Sequence, residues 1–420
     1  MYTFYFDESY HDRRISLKEN KLNIFHEEAS DTFTYCFIGF DTSNEKNLEQ
    51  KFLEVENKLR TTYDYPEDKE LKGKNISKKY YKRGFASLRS ELVEFYSGIF
   101  NVLSENNVLL HIGTLSKTEY MINQLLDKWF KMNERLLIDF NVNVNSTKYT
   151  LTKLIYNHRE SRVIQQIYER PSEIGLFMLK QYLIQLMDKL IEINKDNERT
   201  KDQTEAFKQV LFIVQFMDTQ FKAVSINDKM DYNAIFKGLT NFIYLEHINK
   251  EQVIINIDRE KEIEKCAKKN AFKVGTKVES EDYILLRICD FIANLFGRLL
   301  QVIQNEFLEP EFDSIDDLTS DMYKEKREFP KEWFKLNKKQ FELYQDINNY
   351  LVKLNNFFVI YTGRYSDDVI VLTSLIQYIG FIHEKFDAFD KISLEEHQER
   401  FNSYYMRRLY DHFERLSFSD

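Results

Sequence analysis

Four prolines and eleven glycines are spread over 420 residues. A chain this poor in helix breakers and tight-turn residues is confined to long helices with few sharp reversals. Collagen-like, elastic and proline-rich architectures are excluded by the same scarcity. With 43% of residues hydrophobic and 30% charged, the balance is that of a globular protein with a large core. A length of this order allows two or three domains, at roughly 100 to 200 residues each. The 35 Phe and 26 Tyr supply bulky core packing, and stacking surface where they reach the outside.

The net charge of -9 excludes a histone-like polyelectrolyte, so any nucleic-acid contact must be local. Cys36, Cys266 and Cys289 form no close pair along the chain, a pattern that fits a reducing, cytoplasmic setting better than a disulfide framework. The N-terminal MYTFYFDESY shows no basic region followed by an apolar one, which predicts no secretory signal. The longest apolar stretch, Val369 to Ile382, is interrupted by Thr373, Ser374 and Gln377 and falls short of the roughly 20 residues of a membrane span. No membrane association is expected.

Residues Tyr2 to Phe6 are aromatic or β-branched throughout and stop at Asp7, the pattern of a buried strand that presents a carboxylate at its end. Phe33 to Phe40 and Val108 to Gly113 read as further strands, with helical spacing at Asn44 to Thr62 and Ser87 to Leu103. From Glu119 to Leu245 long helical patterns dominate, as at Leu179, Leu183, Leu186 and Leu190. Gln252 to Asp258 returns to strand composition and again ends on an acid. Ser280 is expected to open a helix with Glu281 and Asp282 in its first turn, and that helix carries Asp290 within a wide apolar stripe. Glu306 to Asp321 is rich in acids, carries Pro310 and lacks a helical period, which predicts a boundary there. Helical spacing resumes at Leu343 to Phe358, Asp368 to Phe381 and Leu394 to Leu416.

Asp7, Glu70, Asp258 and Asp290 are acids from four separate elements. Brought together, they would offer the hard oxygen ligands that Mg²⁺ or Mn²⁺ prefers, and two such ions suit in-line displacement at a phosphodiester. For any one of them alone, a turn or cap role is the commoner use of a strand-end acid. Their order along the chain resembles that of the domain of unknown function 3800 family, which has a ribonuclease H-like fold and is counted among metal-dependent nucleases. The family's strand ending in Asp-Glu-Ser-Gly is matched by Tyr5, Phe6, Asp7, Glu8 and Ser9, its Glu-Leu-Lys segment by Glu70, Leu71, Lys72 and Gly73, and its later strand by Ile255, Asn256, Ile257 and Asp258. Its Leu-Ala-Asp-Leu-Ile-Ala-Gly helix is matched by Ile288 to Asn294. Tyr10 stands where the family has Gly, and Asn294 where it has a small residue.

The resemblance implies an α/β fold with a ribonuclease H-like mixed-sheet core over residues 1–118 and 247–305. Helical spacing outside that core predicts a helical insertion at 119–246 and, beyond a linker at 306–332, an all-helical C-terminal domain at 333–420. The resemblance also implies that Asp7, Glu70, Asp258 and Asp290 are catalytic metal ligands for Mg²⁺ or Mn²⁺. The family's occurrence in mobile-element and antiviral-defence settings implies a defence nuclease. Between Lys69 and Arg83 stand seven basic residues against Glu70 alone. Here Lys72, Lys74, Lys78, Lys79, Lys82 and Arg83 are expected to hold phosphates, Tyr80 or Tyr81 to stack on a base, and Ser9 to line the site. The competing reading of this run is a solvated face.

Two alternatives stand beside the nuclease. One is a catalytically degenerate nucleic-acid or protein-binding module whose helical regions hold a protein partner. The other is a metal-free ribonuclease using Arg407 and His412, an Arg-x4-His pattern similar to that of HEPN-type enzymes. His158 and His247 lack partners at zinc-ligand spacing. Phosphate-loop, dinucleotide and serine-hydrolase motifs are absent from the sequence.

Overall fold

The first two strand-like runs pair with each other. Strand β1 (Tyr2–Ser9) lies antiparallel to β2 (Thr32–Asp41), and β2 lies antiparallel to β3 (Leu109–Ser116). On the other side of β1 the chain adds β4 (Val253–Ile257) and β5 (Lys273–Val274), both parallel to it, while β6 (Phe357–Val359) extends β3 in parallel. The resulting mixed sheet has the order β5-β4-β1-β2-β3-β6. The computed structural model describes residues 1–9, 17–18, 21–25, 31–66, 69–159, 161–170, 174–219, 223–226, 232–258, 261–275, 283–307, 314–323, 328–351, 357–359 and 363–418.

Strands that are hydrophobic without a break belong in a sheet covered on both faces, and the side-chain period of two divides them accordingly. Tyr5, Cys36, Ile38, Phe40, Leu110 and Ile112 join one apolar cluster. Phe4, Phe6, Phe33, Tyr35, Phe37 and Leu115 join the other. The first face is covered by helices Glu45–Thr62, Ser90–Glu105 and Ile284–Glu306 together with the C-terminal helices. The second is covered by helices Lys117–Met132, Val144–Asn157, Leu176–Asn194, Lys201–Phe216 and Asn233–Leu245. Helix Lys117–Met132 begins directly on the end of β3, where the Ser116 hydroxyl accepts from Glu119 N at 3.0 Å and Asp31 from Thr118 N at 2.8 Å. These caps satisfy N–H groups that would otherwise be orphaned at a buried helix start.

Helix Ile284–Glu306 is the central element of the first face. Of its 23 residues, 17 are buried, as expected of a helix that is apolar nearly all round. The Cys289 thiol reaches the Tyr5 carbonyl at 3.3 Å, which seats the helix directly over β1.

The C-terminal region departs from the all-helical expectation. Its first long helix, Lys338–Leu351, ends before the expected Phe358, and Phe357–Val359 joins the sheet as β6. An apolar run such as FFVI fits a buried strand as well as a helix, and periodicity alone does not separate the two. This region is also packed into the first apolar cluster. Tyr344 packs against Phe85 with ring centroids 4.5 Å apart and the planes tilted by 46°, and a Cβ on Gly84 would meet the Trp333 ring at 2.4 Å. Gly84 has φ +53, so both the backbone conformation and the close approach require glycine there. Ser280, Glu281 and Asp282 lie outside the described residues, and helix is present from Ile284. Among the described residues no helix is long and apolar enough to cross a membrane.

Candidate functional site

The parallel pairing of β1 with β4 sets two acids side by side. Phe6 is in register with Ile257, so the next residue on each strand, Asp7 and Asp258, stands at the carboxyl edge of the sheet on the face that helix Ile284–Glu306 covers. Carboxyl ends of parallel strands are where open α/β sheets gather their ligands. Asp290 follows Cys289, the residue bonded to β1, and so enters the same corner from above.

The segment carrying Glu70 is brought in by backbone contacts. Arg60 donates to the carbonyls of Pro66 at 3.0 Å and Lys69 at 2.9 Å, and the Tyr65 hydroxyl donates to that of Glu70 at 3.1 Å. Beyond them, Gly73 N donates to Asp290 Oδ2 at 2.5 Å, and Arg298 donates to the Ile76 carbonyl. A Cβ on Gly73 would meet Asn294 Cβ at 2.6 Å, so only glycine lets the loop lie this close to the helix. Asn294 in turn donates to the Ser9 hydroxyl at 3.2 Å. The three most telling sequence segments, at Asp7 to Ser9, Glu70 to Gly73 and Asp290 to Asn294, therefore form one interlocked unit.

Electrostatics reflect this convergence. Burial pushes the Asp7 carboxyl well above the usual range, the charges of Asp290 and Asp258 add to the rise, and the Glu8 N–H at 2.8 Å and the Lys72 charge oppose it. Asp290 is also raised, first by burial and then by Glu70, against the Gly73 N–H and the charges of Lys72 and Arg298. Lys72 pairs with Glu70, Nζ to Oε2 at 2.9 Å. Burial pulls the Lys72 ammonium down, but Glu70, Asp290 and Asp7 more than offset it, leaving its pKa above the ordinary lysine value.

The donor set is all oxygen, as a hard divalent cation requires, and the mutual repulsion of Asp7 and Asp290 is what such an ion would relieve. As the side chains lie, no three His, Cys, Asp or Glu among the described residues stand close enough to hold a metal ion. Side-chain rotation would be needed to close around one.

Of the expected phosphate-binding residues, Lys74, Lys78, Lys79 and Lys82 are exposed. Lys79 and Arg89 lie over the Tyr80 ring, at 5.3 and 4.5 Å from its centroid. Tyr81 is fully buried and its hydroxyl bonds that of Tyr96 at 2.7 Å, so its ring has no face open to a base. Arg83 is paired with Glu306. Tyr10 lies outside the described residues.

Arg407 and His412 sit on one continuous helix, Leu394–Phe418. Five residues there amount to about 140° around the axis, so the two side chains leave on different faces. Arg407 is exposed, and His412 is half-buried, with a pKa lowered by burial and, against the pull of Asp367, by the charges of Arg415 and Lys153.

Sequence reasoning missed the residues that position the site: Arg60, Asn294 and Arg298. A signal for two of them was available. Asp290, Asn294 and Arg298 recur every four residues along a largely apolar helix, which marks one polar stripe aimed at one place.

The chain is thus a mixed α/β protein in which the charges of Asp290 and Asp258 act on a buried Asp7 of the first strand. Comparison with known proteins found no matching family model, curated protein or solved structure.

Proposed function

We propose that this protein is a Mg²⁺- or Mn²⁺-dependent nuclease that hydrolyses phosphodiester bonds of DNA or RNA. The observation that carries the reading is the meeting of Asp7 and Asp290, from opposite ends of the core, with Asp258 beside them and the Glu70–Gly73 loop bonded to Asp290. The mixed sheet, in which three antiparallel strands are continued by parallel β4 and β5 on the β1 side, supports a ribonuclease H-like core and the resemblance to the domain of unknown function 3800 family, with β6 added in parallel at the β3 edge.

Asp7, Asp258 and Asp290 would hold the metal. When bound, it supplies an activated water and charge stabilisation for in-line displacement. The exposed lysines at 74, 78, 79 and 82 hold the nucleic-acid backbone, and Tyr80 offers a face for a base. Ser9 and Asn294 keep the strand end and helix in place.

The Lys72 ammonium among these acids favours a second reading, a degenerate binding module in which the lysine permanently fills the cation's place. Labelled DNA and RNA incubated with Mg²⁺, Mn²⁺ or chelator, using wild type and Asp7→Ala, separate the two. We expect metal-dependent cleavage that is lost in Asp7→Ala. Metal-independent binding without cleavage would favour the module, and chelator-resistant RNA cleavage lost in His412→Ala would move the chemistry to the C-terminal helix.

A further inference from the structure

We propose that Glu56, which lies outside the acid corner, is a positioning residue for it: its buried carboxylate fixes the arginine that seats the Glu70–Gly73 loop. The inference rests on the nuclease reading and names a further residue on which that site depends. Glu56 follows Leu48 and Phe52 along the inner face of helix Glu45–Thr62 and is only 1% exposed. Its two oxygens face different cations. Oε2 meets the Arg287 guanidinium at 2.8 Å, and Oε1 meets that of Arg60 at 3.4 Å.

Each arginine carries the link on to one part of the site. Arg287 stands one turn ahead of Asp290 on helix Ile284–Glu306. Arg60 uses its other terminal nitrogen to donate to the carbonyls of Pro66 and Lys69. Its guanidinium also lies 5.5 Å from the centroid of the Tyr65 ring, whose hydroxyl holds the Glu70 carbonyl. Glu56 therefore ties the loop, through Arg60, to the helix that carries Asp290. The charge of Glu70 reaches both Glu56 and Arg287, so the loop acid lies within the field of the pair that holds it.

A guanidinium is a rigid planar fork, and fixing one edge sets where the other edge points. Without the carboxylate, Arg60 and Arg287 would be two enclosed cations with no anion between them, and the Arg60 charge already weighs against that of Arg287. Removing one partner of a buried ion pair strands the other. Arg60 would then turn toward solvent and release the two carbonyls. The loop loses its grip on the near side, and the Gly73 N–H moves off Asp290. An ion pair that served only to join two helices would leave the loop in place.

Amide hydrogen exchange followed by mass spectrometry tests this without reference to activity. The Gly73, Asn75 and Ile76 amides are all bonded, so peptides covering 69–76 report the seating of the loop, and peptides covering β1 report the core. In Glu56→Gln we expect loop exchange to rise about tenfold with β1 unchanged, the mark of a local opening. Arg60→Lys should do the same, because an ammonium keeps the charge beside Glu56 but cannot hold the carboxylate and two carbonyls together. If Glu56→Gln does not fold, Arg60→Lys decides alone. Wild-type exchange in the loop of a folded variant would overturn the proposal, as would equal acceleration in loop and core, which is what a purely structural ion pair predicts. Metal-dependent cleavage should fall in the same variants. Absence of cleavage in the wild type would remove the nuclease reading, while loop exchange would still decide whether Glu56 positions this corner.

Discussion

Asp7 and Asp290 are each expensive to bury as anions, and a neighbouring acid adds to the cost of each, Asp290 for Asp7 and Glu70 for Asp290. Their folded-state pKa values lie above the ordinary carboxylate range, so between that range and the raised values the folded chain binds more protons than the unfolded one. Stability in that window falls as pH rises. In chelator, the melting temperature should therefore decline as the pH rises above the ordinary carboxylate range, and Asp7→Asn should flatten the decline. A wild-type profile that rises there would show that the two buried carboxyls carry no such cost. Excess Mg²⁺ should remove most of the difference at high pH, because an ion bound only by the folded state stabilises it by mass action.

Among elements, the contact between the Glu70–Ile76 loop and helix Ile284–Glu306 decides whether the site exists. Gly73→Ala puts a methyl group 2.6 Å from Asn294 Cβ, and the loop must lift. Overpacking of this kind costs about 1 to 3 kcal/mol, and lifting the loop lengthens the Gly73 N to Asp290 bond. Chemical denaturation should show that loss, together with a weaker thermal response to Mn²⁺. Unchanged stability would mean that the loop is not seated on the helix. The exposed basic turn next to it is testable separately. Reversing Lys74, Lys78 and Lys79 to Glu should weaken nucleic-acid binding on every sequence and flatten its dependence on salt, since phosphate contacts are indifferent to sequence. Titrations by fluorescence anisotropy at two salt concentrations measure both effects, and an unaltered salt slope would return the segment to a solvated face.

For the whole molecule, the C-terminal region completes the layer that carries the site. It contributes β6 to the sheet edge, and Trp333, Phe341, Tyr344 and Ile347 to the cluster that includes Tyr5 and helix Ile284–Glu306. Removing residues beyond 307 would expose those partners to water, at roughly 25 cal/mol for each Å² of apolar surface. A truncated 1–307 chain should therefore aggregate or lose cooperative unfolding in a thermal melt. A soluble fragment with wild-type metal response would show instead that the expected boundary at 306–332 separates two independent units.

Local chemistry made much of this legible in advance. Unbroken apolar runs that stop at an acid specify β1 and β4, with Asp258 directly after β4 while β1 continues past Asp7 to Ser9, and amphipathic spacing specifies the helices from Glu45 and Ser90, because both signals depend on neighbours along the chain. The motif containing Asp290 was readable for the same reason. What only the tertiary structure decided depends on residues distant in sequence: the Lys72 ammonium among the acids, the backbone grip of Arg60 and Arg298 on the loop, the burial of Tyr81 against Tyr96, and the entry of Phe357–Val359 into the sheet. A lysine in a basic run looks solvated, and a tyrosine looks free to stack, until packing from another part of the chain removes the water around them. The sequence by itself therefore determined which groups are present and which elements carry them. The fold determined which groups meet, because burial and register are set by contacts that no local pattern encodes.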